Sequence, residues 1–141
     1  MRSRSTTAPF RVAVLGRIAD WKGGFTPDPE QVLASVDAVA VPSTRPDPLP
    51  NSAIEALAAG VPVVAANHGG LPEIVRDRAT GLLARPGDPV ALAKALRELA
   101  DDPQRRARMG EAAADDARER FGLERMLDEV EGVYASLGIR R

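Results

Sequence analysis

The feature that most constrains this chain is a series of short apolar segments that alternate with segments of helical periodicity. The apolar segments are residues 10–15, 37–42 and 61–65, and each ends at or near a glycine or a proline. Such short, β-branched runs are typical of strands that are buried on both faces of a sheet. Because strands that alternate with helices build right-handed βαβ units, we expect a parallel sheet.

Three aspartates predict where helices begin, because each precedes a proline that suits the first helical position. These N-caps and their helices are Asp28 with residues 29–36, Asp88 with residues 89–100 and Asp102 with residues 103–121. A last helix is predicted over residues 123–137. Its apolar stripe consists of Met126, Leu127, Val130, Val133 and Tyr134.

One further helix is predicted over residues 51–59, between the second and third strands. Asn51 or Ser52 is suited to cap it, and Gly60 is suited to end it. Its predicted buried face consists of Ile54, Leu57 and Ala58.

The order of these elements predicts an α/β, Rossmann-like fold of three layers, with a small parallel sheet of three or four strands and helices on both faces. Residues 71–75 form at most two helical turns in this prediction, and residues 81–84 form the fourth strand. A length of 141 residues suits about one domain. We therefore expect one domain over residues 10–141, with a helical C-terminal part and a flexible polar arm over residues 1–9.

Composition and charge argue against several classes of protein. The formal net charge of -1 argues against broad electrostatic binding to nucleic acid or to an anionic membrane. The lack of cysteine excludes disulfides and thiolate metal sites, and the single histidine, His68, provides no cluster for zinc. The first residues lack the apolar segment of a signal peptide, and no apolar run is long enough for a bilayer. We expect a cytoplasmic protein without an integral membrane segment.

Ligands of open parallel sheets bind at the carboxyl ends of the strands, so the loops there are the candidate site. The first such loop contains Gly16, Arg17 and Lys22. Glycine lets the backbone approach a ligand closely, and the two cations would neutralise an anion. The second leads into the helix that begins near Asn51, whose free amides favour a phosphate. We expect Glu55 in the first turn of that helix, where its carboxylate could accept hydrogen bonds from the vicinal diol of a ribose.

Each of these features also has a purely structural interpretation. Taken alone, Arg17 and Lys22 are solvated surface charges, and Glu55 complements the helix dipole. The other structural interpretations are a turn at Gly69-Gly70, an exposed loop residue at His68 and a polar helix face at Asp115-Asp116. The shared location at strand ends is what favours a nucleotide diphosphate site.

Residues 47–75, D-P-L-P-N-S-A-I-E-A-L-A-A-G-V-P-V-V-A-A-N-H-G-G-L-P-E-I-V, resemble the donor-binding half of retaining family-4 glycosyltransferases of the GT-B fold. The segment G-R-I-A-D-W-K-G at 16–23, the segment T-G-L-L-A-R-P-G-D-P at 80–89 and the closing M-G…F…Y helices resemble the same family. The resemblance covers nearly everything after Phe10. It implies that the chain is half of a GT-B fold.

The resemblance implies roles for individual residues. Arg17 and Lys22 would bind the donor diphosphate and offset the charge that grows on the leaving nucleotide. Glu55 matches the second glutamate of the family's E-x7-E motif and would hold the ribose hydroxyls. Asp47 stands at the first position of that motif, where the family usually has glutamate, and would contact the transferred sugar. The remaining donor-side positions are Gly16, Asn51, Ser52, Gly69, Gly70 and Glu73.

The chain also departs from the family's pattern. Pro50 lacks a backbone amide near the place where the family binds the donor, and the strand–helix units that usually follow Gly23 are missing. The acceptor-binding half, which precedes this region in the family, is absent from the sequence. We therefore expect a smaller sheet, and a final helix whose apolar face lacks its usual cover.

The leading interpretation is a donor domain of a group 1 glycosyltransferase that binds a UDP-, GDP- or ADP-sugar without a metal or another cofactor. In the complete enzyme, a hexosyl group would pass to an alcohol with retention. We expect no catalysis by the chain alone, because proximity of the acceptor supplies much of the rate. The alternatives are a non-catalytic partner domain of a split transferase and a degenerate fragment without activity. A partner would be an acceptor-domain chain, or a second copy bound through the C-terminal helix.

Overall fold

A parallel four-stranded sheet lies at the centre of the structure, a computed structural model that describes residues 8–14 and 28–139. The strands lie side by side in chain order as β1 (Val12–Val14), β2 (Ala38–Val41), β3 (Val63–Ala66) and β4 (Gly81–Ala84). All three neighbouring pairs are parallel. The small parallel sheet predicted from the apolar segments is therefore confirmed, with strand ends that differ from the prediction by at most two residues.

The described helices also follow the predicted order. They are α1 (Pro29–Ser35), α2 (Asn51–Ala58), α3 (Leu71–Ile74), α4 (Pro89–Asp101), α5 (Pro103–Phe121) and α6 (Leu123–Ser136). The predicted helical C-terminal part is confirmed. No described helix is both long and apolar enough to cross a lipid bilayer.

The aspartate caps are confirmed in atomic detail. The carboxylate of Asp28 accepts a hydrogen bond from the amide of Gln31 at 3.2 Å. The other two caps are the equivalent bonds of Asp88 with the Ala91 amide, at 2.9 Å, and of Asp102 with the Arg105 amide, at 2.8 Å. Each bond satisfies an amide in the first turn that has no partner within the helix, so each helix begins where the sequence predicts.

The predicted cap of α2 is wrong. Pro50 occupies the N-cap position without a side-chain hydrogen bond, and Asn51 and Ser52 are already helical. Of the predicted buried face, Leu57 is buried and Ile54 packs against the core, whereas Ala58 is exposed. The other buried residues of α2 are Ala53 and Ala56. Gly60 follows the helix with a φ of 72°, a left-handed conformation that favours glycine and ends the helix as predicted.

Two apolar clusters cover the two faces of the sheet, because side chains alternate along each strand. The first contains Val39 and Val63 and packs against residues of α2, α3 and α5. The second contains Val64 and Leu82 and packs against Leu99 of α4 and against α5. Helices therefore lie on both faces, which confirms the predicted three-layer α/β fold.

The α6 helix has no buried residue. Its apolar side chains are about half exposed or more, as predicted for a face without cover. They are Leu123, Met126, Leu127, Val130, Val133 and Tyr134, and Leu137 at the C-cap is exposed as well. In contrast, Leu99 of α4 is completely buried.

The predicted domain boundaries at residues 9 and 10 stay predictions. Most of the arm, residues 1–7, lies outside the described part of the chain, as do residues 140–141. The segment where the resemblance implies missing strand–helix units, at residues 15–27, also lies outside it.

Candidate functional site

The loops at the carboxyl edge of the sheet meet in one place. The loop after β2 comprises residues 42–50, and we call its central part, residues 46–48, the Asp47 loop. The loop after β3 contains Gly69 and Gly70, and the backbone amide of Gly70 donates a hydrogen bond of 2.8 Å to the carbonyl oxygen of Asp47. The structure therefore brings together three of the residues predicted for the donor site.

The Asp47 loop approaches both glycines too closely for a side chain. A Cβ atom on Gly69 would lie 2.7 Å from the carbonyl oxygen of Asp47, and Gly69 has a φ of 61°. A Cβ atom on Gly70 would overlap the carbonyl group of Pro48. The prediction of a turn at these glycines is confirmed, and the turn is also a packing surface that only glycine permits.

The carboxylate of Asp47 is held by its own loop. Its Oδ1 atom accepts a hydrogen bond from the backbone amide of Leu49 at 3.1 Å, as in an Asx turn. Asp47 and Leu49 are both exposed, so the carboxylate faces solvent at the carboxyl edge. A ligand at this edge would find an oriented carboxylate.

The interpretation of His68 as an exposed loop residue is wrong. Its side chain is partly buried, and Nε2 lies 2.5 Å from the carbonyl oxygen of Ser43. A carbonyl oxygen only accepts, so the ring carries its proton on Nε2 in this contact. His68 thus forms a second link between the loop after β3 and the loop after β2.

Glu55 lies in the second turn of α2, because the helix begins at Asn51, so its expected place in the first turn is wrong. Its side chain is exposed and lines a groove of about 930 Å³ between α1, α2 and the amino-terminal half of α5. Glu30 and Leu33 of α1 and Gly110 of α5 also line this groove. Val36 and Asp37 before β2 and Val61 and Pro62 before β3 line the groove as well, so it opens toward the amino ends of these strands, away from the Asp47 loop.

The other predicted site residues divide into two groups. Gly16, Arg17 and Lys22 lie outside the described residues. Asn51 is exposed and Ser52 is partly exposed, and both stand at the amino end of α2, where helix amides lack partners within the helix. This end of α2 follows directly on the Asp47 loop.

A smaller apolar cavity lies at the same edge of the sheet. It has a volume of about 260 Å³ and lies between the ends of β2, β3 and β4 and the start of α4. Thr44, Ala66 and Leu92 are among the residues that line it. It adjoins the loops that carry the predicted site.

A buried ion-pair network on α5 is missing from the sequence prediction. Asp116, taken there as part of a polar helix face, has a side chain only 7% exposed. Its two oxygens lie 2.8 Å from Nε of Arg76 and 2.8 Å from Nη1 of Arg120. The spacing of Asp116 and Arg120, four residues apart on one helix, is the available signal, whereas the contact of Asp116 with Arg76 depends on the fold.

Proteins of known function resemble this chain over most of its length. It is 51% identical over 84 residues to the D-inositol 3-phosphate glycosyltransferase of Streptomyces avermitilis, a match that covers 60% of this chain and 18% of the relative. It is 43% identical over 115 residues to the protein of the same name from Corynebacterium aurimucosum, covering 79% of this chain and 27% of the relative. The chain thus spans less than a third of the length of these relatives.

Among solved structures, Anabaena HepE in complex with UDP-glucose has a similar fold. The TM-score is 0.75 at 34% sequence identity, and the match covers 80% of this chain and 31% of HepE. A model of the family described as glycosyl transferases group 1 matches residues 15–116, which include every described strand from β2 to β4. The sequence resemblance, the parallel sheet and this match agree, and the chain belongs to the glycosyltransferase group 1 family.

Proposed function

We propose that this chain binds a nucleotide-diphosphate sugar and forms the donor side of a retaining glycosyltransferase. The observation that carries the proposal is the contact of the Asp47 loop with Gly69-Gly70 at the carboxyl edge of a parallel sheet. Ligands of open parallel sheets bind at this edge. The likeness to HepE in complex with UDP-glucose supports a uridine nucleotide as the first candidate, before GDP or ADP.

The diphosphate would lie between the amino end of α2 and the two cations of the first loop. The amides at Asn51 and Ser52 are suited to an anion because the helix dipole favours negative charge there. Arg17 and Lys22 would supply the remaining positive charge, so the proposal requires no metal ion. During transfer, the same cations would offset the negative charge that grows on the leaving diphosphate.

Two carboxylates would bind the sugar portions of the donor. Asp47, whose Oδ1 atom is already engaged with the Leu49 amide, would accept from a hydroxyl of the transferred hexose through Oδ2. Glu55 would accept from the two ribose hydroxyls, from its place in the second turn of α2. Hydrogen bonds from neutral hydroxyls to a carboxylate are about twice as strong as those between neutral groups.

Isothermal titration calorimetry tests this proposal. We expect saturable heat with UDP and with UDP-glucose, and weaker or no heat with GDP and ADP. The double substitution Arg17→Ala and Lys22→Ala should weaken UDP binding at least about tenfold, because two charge-assisted contacts to the diphosphate are lost. Removing two exposed cations of α4, Lys94→Ala with Arg97→Ala, is the matched control and should leave the affinity unchanged. No heat with any of these nucleotides at millimolar concentration would contradict the proposal.

A second proposal concerns the partner of α6. Its exposed apolar side chains favour a non-catalytic partner domain that another chain covers at α6. That other chain would carry an acceptor-binding half or would be a second copy of this one. Size-exclusion chromatography with light scattering separates these cases. A concentration-dependent dimer supports a second copy, whereas a well-behaved monomer counts against completion of the chain through α6. The cytoplasmic location stays a prediction from the sequence.

A further inference from the structure

We propose that Asp116 and Arg120 of α5 are positioning residues for the Asp47 loop, and that they act through α3. The inference rests on the proposed function, in which this loop contacts the donor sugar. Neither residue lies at the carboxyl edge of the sheet. Their effect on the site would pass through one helical turn of backbone.

The first step is the pairing of Asp116 with two arginines. Its Oδ1 atom lies 2.8 Å from Nε of Arg76, and its Oδ2 atom lies 2.8 Å from Nη1 of Arg120. Both carboxylate oxygens of Asp116 are therefore paired with a guanidinium group, and the side chain is only 7% exposed. Charge-assisted bonds of this kind stabilise a guanidinium group and also orient it.

The second step joins Arg120 to α3. Its Nη1 atom donates a hydrogen bond of 3.2 Å to the carbonyl oxygen of Ile74, and its Nη2 atom donates to that of Glu73. These carbonyl groups belong to the last residues of α3, where helix carbonyls lack partners within the helix. The guanidinium group of Arg120 thus holds the carboxyl end of α3 against α5.

The third step joins α3 to the Asp47 loop. The amides of Glu73 and Ile74 donate to the carbonyl oxygen of Gly70, at 3.1 Å and 3.2 Å. The amide of Gly70 in turn donates to the carbonyl oxygen of Asp47. Because α3 has four residues, about 6 Å of backbone separates its two ends.

This short connection leaves little freedom for the Asp47 loop. The loop packs directly on Gly69 and Gly70, without space for even a methyl group. A shift of α3 away from α5 would therefore break the Gly70–Asp47 bond or carry the loop with it. Asp116 therefore influences the position of α3 through Arg120. The position of α3 in turn influences the Asp47 loop through Gly70.

A neighbouring ion pair on α5 provides the matched control. Asp115 lies 2.9 Å from Nη1 of Arg118, and the two side chains are 78% and 76% exposed. The Asp115→Asn variant changes the same charge on the same helix, one residue away, without touching the contacts to α3. The test variants are Asp116→Asn, which weakens both arginine pairs, and Arg120→Gln, which keeps the pair of Asp116 with Arg76.

The experiment is amide hydrogen exchange of the ligand-free chain, followed by NMR at single residues. We expect exchange of the Gly70 amide to accelerate at least tenfold in Asp116→Asn and Arg120→Gln, with resonance shifts over residues 43–49. The Val64 amide in the central strand β3 should exchange as in the wild type, and Asp115→Asn should change neither. Equal acceleration at Gly70 and Val64, or unchanged Gly70 exchange in a folded variant, would overturn the proposal. Failure of both variants to fold would also overturn it, since the network would then serve overall stability.

A UDP titration of the same variants separates this inference from the proposed function. If the wild-type chain binds UDP, we expect a roughly tenfold loss of affinity in both test variants and none in Asp115→Asn. If the wild-type chain binds no UDP while Gly70 exchange responds as expected, the proposed function fails and the positioning of the loop stands. If UDP binding is intact in all variants although Gly70 exchange accelerates, the loop is positioned without consequence for the ligand, which contradicts the inference.

Discussion

The backbone amide of Gly70 donates a 2.8 Å hydrogen bond to the carbonyl oxygen of Asp47 and thereby joins the loops that follow β3 and β2. Each loop alone is an ordinary connection at the edge of a parallel sheet. Joined, they form a corner in which the Asp47 carboxylate, oriented by the Leu49 amide, precedes the amino end of α2. This corner is the part of the proposed donor site that the structure describes most fully.

Substitution of Gly70 should disrupt this corner. The added methyl group of Gly70→Ala would overlap the carbonyl group of Pro48, so the Asp47 loop must move. We expect a loss of about 1–3 kcal/mol in the free energy of unfolding, as for other overpacked sites. Urea denaturation measures this loss, and a Gly70→Ala chain as stable as the wild type would show that the loop yields without cost.

A pair of glycines in helices separates packing from helix propensity. In Gly110→Ala, the new Cβ atom would overlap the carbonyl oxygen of Gly60, where α5 crosses the end of α2. In Gly132→Ala, on exposed α6, the new atom would meet nothing within 4 Å. Thermal unfolding should show Gly110→Ala destabilised by about 1–3 kcal/mol and Gly132→Ala stabilised by up to about 1 kcal/mol. Equal effects of the two substitutions would contradict the close packing of α2 on α5.

Removal of a helix cap should have a small and definite effect. Asp102→Ala deletes the acceptor of the Arg105 amide at the start of α5, and we expect a loss of about 1 kcal/mol. Asp101→Ala is the control, because Asp101 is the exposed last residue of α4 and does not cap α5. If chemical denaturation gives the same result for both, the cap contributes nothing measurable to stability.

The apolar face of α6 should tolerate polar residues. Val133 is 59% exposed, so Val133→Gln should change the stability of the monomer by less than about 0.5 kcal/mol. Leu99 is fully buried against β3 and β4, so Leu99→Ala should cost about 2–5 kcal/mol. A large loss of stability in Val133→Gln at low protein concentration would mean that α6 is covered in solution by its own chain.

Glu55 can be tested through the ribose hydroxyls that it is proposed to bind. The wild-type chain should prefer UDP over its 2′,3′-dideoxy analogue, because a carboxylate that accepts from hydroxyls contributes about 1.5–3 kcal/mol per bond. In Glu55→Gln this preference should shrink. Glu30→Gln, on the opposite wall of the same groove, should keep it. A preference retained by Glu55→Gln would assign the ribose to another residue.

Features of the fold that depend on local sequence could be predicted. The Asp-Pro pairs mark the starts of α1, α4 and α5 because a cap and its helix are neighbours in the chain. The apolar segments of β2 and β3 mark buried strands for the same reason. The start of α2 at Asn51 is predicted correctly, but its N-cap is not, because Pro50 occupies the cap position without a side-chain hydrogen bond that a sequence pattern would reveal.

Features that depend on distant contacts were not visible in the sequence. In the sequence Asp116 is one of two adjacent acidic residues on a polar helix, and only the fold brings Arg76, forty positions earlier, to its buried carboxylate. The sequence places His68 in a loop, but it does not show the contact of its ring with the carbonyl oxygen of Ser43, twenty-five positions earlier. The sequence placed Asp47 and Gly70 separately at the same edge of the sheet, whereas their direct contact required the structure.

The most direct test of the donor-site proposal is an NMR titration of the isotopically labelled chain with UDP. We predict saturable shifts of the amide resonances of Asp47, Asn51, Ser52, Glu55 and Gly70, and none in α6. Arg17→Ala with Lys22→Ala should raise the UDP concentration needed for saturation without changing which amides respond. Shifts confined to other parts of the chain, or no shifts at millimolar UDP, would contradict the assignment of this edge of the sheet as the nucleotide-sugar site.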